Sequence, residues 1–212
     1  MNPPPPKLTN KIPYMLAKHS VSNKRRGEMN YLNLFANTTG EMEFHHYQTL
    51  LTNGIKRKTL FKGASLVGLA NIVPQKNERF ILSENGEPFF ITPVGTRGSR
   101  GIAWTEIHDL VAWKPEEDNF YTLSGDGKIL NEEATHYADA REEPLFIHDT
   151  VLSWFQGGCN GLVVLDWSNI QPWEVVGANR RVVADTDKSK KKLRKALTPK
   201  YPEIRIRSFS NG

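Results

Sequence analysis

Cysteine is almost absent from this chain of 212 residues, in which Cys159 is the single thiol. One cysteine can form no disulfide within the chain and cannot supply a cysteine-rich zinc site. The sequence also lacks an apolar run of about 18 residues, and its start, MNPPPPKLTNK, has no apolar segment of the kind found in signal peptides. We therefore expect a protein of the reducing cytoplasm with no membrane span.

The charge is unbalanced toward the positive, because 28 Lys and Arg face 23 Asp and Glu, for a formal net charge of +5. Such an excess favours anionic partners such as nucleic acid or nucleotides. Hydrophobic residues make up 38% of the chain, which is an ordinary content for a globular protein with a real core.

Changes in pattern divide the chain into three predicted parts. Residues 1–11 contain four consecutive prolines and are expected to be a disordered tail. Residues 12–143 are expected to form a β-rich α+β module. Within it, aromatic and aliphatic stretches at 31–36 and 43–50 predict a hairpin, residues 55–61 a basic strand, and the apolar spacing in 104–113 a helix.

Residues 144–212 alternate strand and helix patterns and are expected to form an α/β domain. Apolar runs at 145–148, 162–165, 181–184 and 203–207 predict strands, while 150–156 and 188–197 predict helices. Strands that alternate with helices are typical of a parallel sheet with helices on its faces. The predicted fold class is thus α/β, with a C-terminal parallel sheet preceded by the β-rich module.

Three aspartates follow strands of this predicted sheet. Asp149 follows the run LFIH, and Asp185 and Asp187 follow RVVA. Because the carboxyl ends of parallel strands meet at one edge, we expect these carboxylates to converge on one point. Carboxylate oxygens are the ligands that Mg²⁺ prefers, so a Mg²⁺ (or Mn²⁺) site is one interpretation. The other is that they are polar loop residues, with Asp187 capping the next helix.

The segments PLFIHDTVLSWFQGGCNGLVVLDWSNI and RRVVADTDKSKKKLRKAL resemble the toprim domain of phage and plasmid primases. That family has a strand ending in Glu-Gly, a helix, a buried strand, a crossover and a strand ending in Asp-x-Asp before a helix. The resemblance implies that Asp185 and Asp187 are metal ligands and that Asp149 is a ligand or general acid/base. Asp149 and Thr150 stand where the family has Glu and Gly.

Similarity to the same primases extends upstream, to YLNLFANTTGEMEFHHYQTLLTNGIKRKTLFKGASLVG, so that it covers about two-thirds of the chain. Residues 75–140 have no counterpart in the family and appear as an insertion whose role the resemblance leaves open.

Two groups of cations are candidates for nucleic-acid binding. Lysines at one helical face follow the acids, and a second group lies near aromatic residues. The first group is Lys188, Lys191, Lys192 and Lys195, and the second is Lys56, Arg57, Lys58 and Lys62. Cations interleaved with aromatic rings suit a single strand, whose bases can stack. A solvated helix face and the basic side of a core strand are the alternative interpretations.

These patterns leave three functional hypotheses. The first is a primase-like protein of a phage, plasmid or other mobile element that joins nucleotides on single-stranded DNA, with Mg²⁺ activating the 3′-hydroxyl and a replicative helicase as a possible partner. The second is a degenerate toprim-fold protein that binds DNA or assists replication. The third is a metal-dependent nuclease.

Overall fold

The computed structural model describes residues 30–61, 65–97, 103–177 and 181–198. The predicted tail at 1–11, the predicted strand at 203–207 and Lys62 lie outside these ranges. In the described part, no helix combines the length and the apolar content that crossing a bilayer requires.

Three helices open the described chain: α1 (Tyr31–Gly40), α2 (Phe44–Thr52) and α3 (Arg57–Leu60). The predicted hairpin and basic strand are therefore wrong. Local hydrogen bonds that cap the helix N-termini favour helices here. At α1, the Asn30 side chain accepts a hydrogen bond from the Asn33 N–H (3.2 Å), and at α2, the Glu43 N–H donates to the His46 ring (3.0 Å). The apolar residues then face inward at helical intervals, as Phe35 and Leu50 do.

A closed barrel of five strands follows: β1 (Gly68–Gln75), β2 (Arg79–Leu82), β3 (Glu87–Arg97), β4 (Trp104–Trp113) and β5 (Phe120–Thr122). The strands pair in the order β1-β2-β5-β4-β3, and β3 closes the barrel onto β1. All pairs are antiparallel except β2 with β5. One hydrophobic cluster joins side chains of β1 to β4 with Phe35 of α1, which packs on the barrel.

The strand β4 corrects the predicted helix at 104–113. Leu110 and Ala112 belong to the barrel cluster, whereas Val111 and Trp113 belong to a second cluster on the other face. Alternate side chains thus enter two different cores, and residues 110–113 are all apolar because both faces are covered there. A strand buried on both faces has no polar period that would distinguish it from a buried helix.

A second sheet is built from the rest of the described chain. Its elements are β6 (Ile129–Leu130), α4 (Ala134–Ala140), β7 (Leu145–His148), α5 (Val151–Gln156), β8 (Leu162–Val164), α6 (Pro172–Val176), β9 (Val182–Ala184) and α7 (Asp187–Leu197). The strand order is β6-β8-β7-β9, with β6 antiparallel and the other three parallel. The chain is therefore a mixed α/β protein with a barrel-like sheet and a largely parallel sheet.

The two sheets share a core. The second hydrophobic cluster combines Val111 and Trp113 of the barrel with Trp154, Phe155 and Val163 of the second sheet. In addition, β6 and α4, which precede residue 144, join the second sheet: β6 pairs with β8, and α4 packs into that sheet's own cluster. The second sheet thus begins inside the stretch 75–140 that has no counterpart in the family.

Candidate functional site

A repeated sequence forms the two strand–helix junctions at the carboxyl edge of the parallel strands. Residues 149–153 and 185–189 both read Asp-Thr-x-x-Ser, after β7 and β9 respectively. In each, the Thr hydroxyl accepts a hydrogen bond from the backbone N–H of the Ser three residues later, at 3.0 Å, and the Ser side chain in turn caps the Thr N–H. Each junction is a capping box that fixes the Asp at the strand end.

Asp149 and Asp185 are brought together at this edge because β7 and β9 are neighbours. The Asp149 N–H donates to Asp185 Oδ1 at 3.0 Å, and the Ser189 hydroxyl donates to the same oxygen at 3.3 Å. The other oxygen, Asp185 Oδ2, lies 3.3 Å from Nδ1 of His148, whose Nε2 lies 2.7 Å from the carbonyl oxygen of Asn160. Both oxygens of the Asp185 carboxylate therefore contact protein groups.

Two lysines of α7 face the carboxylate of Asp149. Lys188 Nζ is 3.6 Å from Oδ2, and Lys192 Nζ is 4.0 Å from Oδ1. Only 11% of the Asp149 side chain is exposed, so the lysines supply the opposite charge that a shielded carboxylate needs. Lys192 Nζ also lies 5.9 Å from the centre of the Trp167 ring.

Asp187 is placed differently from the other two acids. It is the first residue of α7, its side chain is fully exposed, and its nearest cation is Lys190 Nζ at 4.0 Å. It does not cap the helix, because Thr186 does. No group of three or more His, Cys, Asp or Glu side chains in the described ranges is arranged to hold a metal ion. The predicted metal role of the three acids stays a prediction.

A cavity of about 610 Å³ opens beside these acids; we call it the carboxyl-edge cavity. Its sheet wall carries the two lysines of α7 and five residues that follow β7 and β8, and its barrel wall is made by Glu78 and residues 118–121. The sheet-wall residues that matter here are Asp149, Asp166, Trp167, Lys188 and Lys192. The cavity thus combines cations, carboxylates and an aromatic ring.

Asp166 holds the loop that carries Trp167. Partial burial raises the pKa of Asp166, but hydrogen bonds from the Ser168 hydroxyl (2.6 Å) and from the N–H groups of Ser168 (2.9 Å) and Asn169 (3.2 Å) outweigh it. With the nearby Arg79 charge, they leave the pKa of Asp166 below its usual value of 3.8. The carboxylate therefore stays ionised at neutral pH as a loop anchor.

The predicted basic residues form two exposed surfaces. On α7, Lys191 and Lys195 are exposed, in addition to the two lysines that face Asp149. The second surface, which we call the α2–α3 surface, consists of the exposed Lys56, Arg57 and Lys58 together with the aromatic side chains of Phe44, Tyr47 and Phe61. The Tyr47 and Phe61 rings lie 5.5 Å apart, and Phe44 and Phe61 are largely exposed.

Sequence reasoning missed the residues that organise this edge. Thr186 and Thr150 act as helix caps, His148 contacts Asp185, and Trp167 forms part of the cavity wall. The repeated Asp-Thr-x-x-Ser is the signal that could have revealed the caps. Comparison with protein-family models, curated proteins and solved structures gave no match for this chain. The toprim resemblance accordingly stays a prediction made from the quoted sequence.

Proposed function

We propose that the protein is a toprim-like, nucleic-acid-binding protein of DNA replication in a phage, plasmid or other mobile element, acting in the cytoplasm. The observation that carries the proposal is that Lys188 and Lys192 stand within 4.0 Å of the Asp149 carboxylate, where the resemblance places a metal ion. Lys188 and Lys192 would take the place of the cation beside Asp149, and the exposed Lys191 and Lys195 would hold the DNA phosphates.

The order of elements supports the toprim resemblance. Strand β7, helix α5, buried strand β8, crossover helix α6, strand β9 and helix α7 follow one another as in the family pattern. Because β7 lies between β8 and β9, the positions of Asp149 and Asp185 fall on neighbouring strand ends. Those are the positions to which the family assigns its acids.

The charges at this edge favour binding over metal-dependent catalysis. An ammonium group close to a carboxylate removes the repulsion that would otherwise draw a cation into a cluster of acids. Asp187, with its side chain in solvent and Lys190 as its nearest cation, adds no third ligand at the same point. The remaining lysines of α7 extend the positive charge outward, where a phosphate backbone can reach it.

The α2–α3 surface offers a second contact for single-stranded DNA. Its exposed rings can stack on bases while Lys56, Arg57 and Lys58 contact phosphates. Stacking tolerates any base, so we expect binding with little sequence preference.

The test is fluorescence anisotropy with a labelled single strand at several salt concentrations. We expect Lys191→Gln and Lys195→Gln each to weaken binding and to reduce the slope of log K against log salt by about 0.7. Lys76→Gln is the control, because Lys76 is an exposed lysine of the β1–β2 turn outside both surfaces. Equal effects of all three variants, or no binding by the unmodified protein, would reject the proposal.

Mg²⁺-dependent nucleotidyl transfer is the second candidate, because Asp149 and Asp185 are already joined at one point by a 3.0 Å hydrogen bond. It requires Lys188 and Lys192 to leave Asp149 when metal binds. Calorimetry with Mg²⁺ and Mn²⁺ tests this: metal binding that is abolished by Asp149→Asn, with primer synthesis abolished by Asp185→Asn, would establish it. Cleavage of the labelled strand in the same reactions would indicate a nuclease instead.

A further inference from the structure

A second cavity lies at the opposite edge of the second sheet; we call it the amino-edge cavity. Its walls include Pro144 and Leu145 at the start of β7, residues 158–161 before β8, and α4. Since β7 and β8 are parallel, the residues that precede them share the edge opposite Asp149. The cavity has a volume of about 310 Å³ and belongs neither to the carboxylate edge nor to the basic surfaces.

The charges that line the two cavities differ in sign. Arg97 and Arg141 line the amino-edge cavity against one acid, Glu143, which leaves a net positive lining. The carboxyl-edge cavity has two lysines against four acids, Glu78, Asp118, Asp149 and Asp166. A small anion without a metal ion would therefore favour the amino-edge cavity.

Arg97 is held in place by uncharged groups. Its Nη2 donates to Asn131 Oδ1 at 3.1 Å, and Asn131 Nδ2 donates to the Gly161 carbonyl at 2.7 Å. The guanidinium also lies 5.8 Å from the centre of the Trp104 ring. Among the described residues, only one of the five N–H donors of Arg97 is used in a hydrogen bond. The contacts orient the guanidinium before a ligand binds, which lowers the entropic cost of binding.

Arg141 also lines the cavity, and its guanidinium lies 5.9 Å from the centre of the Tyr137 ring. Among the side chains that the structure describes, no carboxylate lies within ion-pairing distance of Arg141 or Arg97. Two guanidinium groups that line one cavity and form no ion pair with the described side chains are a donor set that suits a phosphate group.

We propose that the amino-edge cavity binds a small phosphate-bearing molecule with a ring, such as a nucleoside monophosphate. Arg97 and Arg141 bind the phosphate, and Tyr137 and Phe146 contact the ring. A volume of about 310 Å³ is at the small end of ligand cavities, which fits one nucleotide and not a strand. The inference does not depend on the proposed DNA binding.

Cys159 provides the measurement, because it is the single cysteine of the chain and lies in the cavity wall. The rate of its reaction with a thiol reagent is followed in the presence of adenosine monophosphate, inorganic phosphate or adenosine. We expect the monophosphate to slow the reaction strongly and inorganic phosphate to compete with it, whereas adenosine at the same concentration has little effect. An unchanged rate with the monophosphate, or equal protection by adenosine, would overturn the proposal.

Variants separate recognition from net charge. Arg141 is exposed, so Arg141→Gln is expected to fold and to raise the monophosphate concentration needed for protection by about 10-fold, the usual effect of losing one charged hydrogen-bond donor. Arg194→Gln removes the same charge from α7, outside the cavity, and should leave protection unchanged. If both variants weakened protection equally, the site assignment would be wrong. DNA binding by Arg141→Gln should equal that of the unmodified protein.

Discussion

Asp109 shows at the residue scale how one buried acid shapes the connection between the two sheets. Its side chain has no exposed surface and accepts hydrogen bonds from the N–H groups of Leu110 (2.8 Å), Ser124 (2.9 Å), Gly125 (2.8 Å) and Gly127 (3.0 Å). The turn that leads from β5 to β6 is therefore wrapped around a carboxylate. Its charge is compensated by backbone donors, as a buried charge requires.

We expect Asp109→Ala to lower the free energy of unfolding by about 3 kcal/mol or more, because it strands several buried N–H groups at once. Urea unfolding followed by circular dichroism measures this. The control is Asp126→Ala, which removes an exposed aspartate from the same turn and should change stability by less than about 0.5 kcal/mol. Equal effects of the two variants would show that the hydrogen bonds to Asp109 contribute little.

Asp166 gives a prediction about pH. The pKa of its carboxyl group is lowered in the folded protein, so its contribution to stability is present above the ordinary pKa of 3.8 and is lost as pH falls through the lower, folded value. Ser168→Ala removes the 2.6 Å hydrogen bond and should raise that pKa, which carboxyl-carbon NMR titration measures. Ser168→Thr keeps a hydroxyl and should leave the pKa low; a rise in both variants would contradict this account.

At the scale of elements, the stability of α7 depends on the residues that cap its N-terminus. Thr186 exchanges hydrogen bonds with Ser189 at 3.0 Å and 3.2 Å, and the same box keeps Ser189 against Asp185. Thr186→Ala should therefore lower the free energy of unfolding by about 1 kcal/mol. Thr198→Ala, at the other end of α7, should lower it by less, and an equal loss in thermal denaturation would contradict the assigned role of the box.

The C-terminal strands and helices could be predicted because their patterns are local. The runs that became β7, β8 and β9 are short and apolar, and the runs that became α5 and α7 follow polar capping residues. The meeting of Asp149 and Asp185 followed from the rule that parallel strands end at one edge. The rule could not supply the direction of the Asp187 side chain, because α7 begins at Asp187, one residue earlier than the predicted helix at 188–197.

The opening helices could not be predicted from hydrophobic pattern alone. Residues 31–36 and 43–50 are rich in aromatic and aliphatic side chains, which favours strands, yet Asn30 and Glu43 begin helices there. The strand β4 was predicted as a helix because its apolar residues do not alternate with polar ones. Its last four side chains are divided between two cores that only the assembled fold creates: Leu110 and Ala112 enter one, and Val111 and Trp113 enter the other. For the opening helices, the deciding contact is a single cap at each N-terminus. For β4, it is packing against residues far away in the sequence.

At the scale of the whole molecule, the barrel and the second sheet are joined by a common core. Trp113 of β4 stacks on Phe155 of α5, with ring centres 5.3 Å apart and planes inclined by 25°. Gln156 Nε2 adds a hydrogen bond of 2.8 Å to the carbonyl oxygen of Asn53, after α2. The division of the chain at residues 143 and 144 therefore crosses a packed interface, and we expect the two sheets to unfold together.

Phe155→Ala tests this unity. The substitution removes a fully buried ring and should destabilise the protein by about 3–5 kcal/mol. Because Phe155 contacts the barrel through Trp113, hydrogen exchange should accelerate by similar factors in β3 and β4 as in β7 and β8. The exposed Phe44 provides the matched control, since Phe44→Ala creates no cavity and should leave exchange in all four strands unchanged. If exchange accelerated in β7 and β8 while β3 and β4 kept their protection, the two sheets would be separate folding units despite their shared core. The amino-edge cavity, whose Arg97 comes from the barrel, would then have to form by docking of one unit on the other.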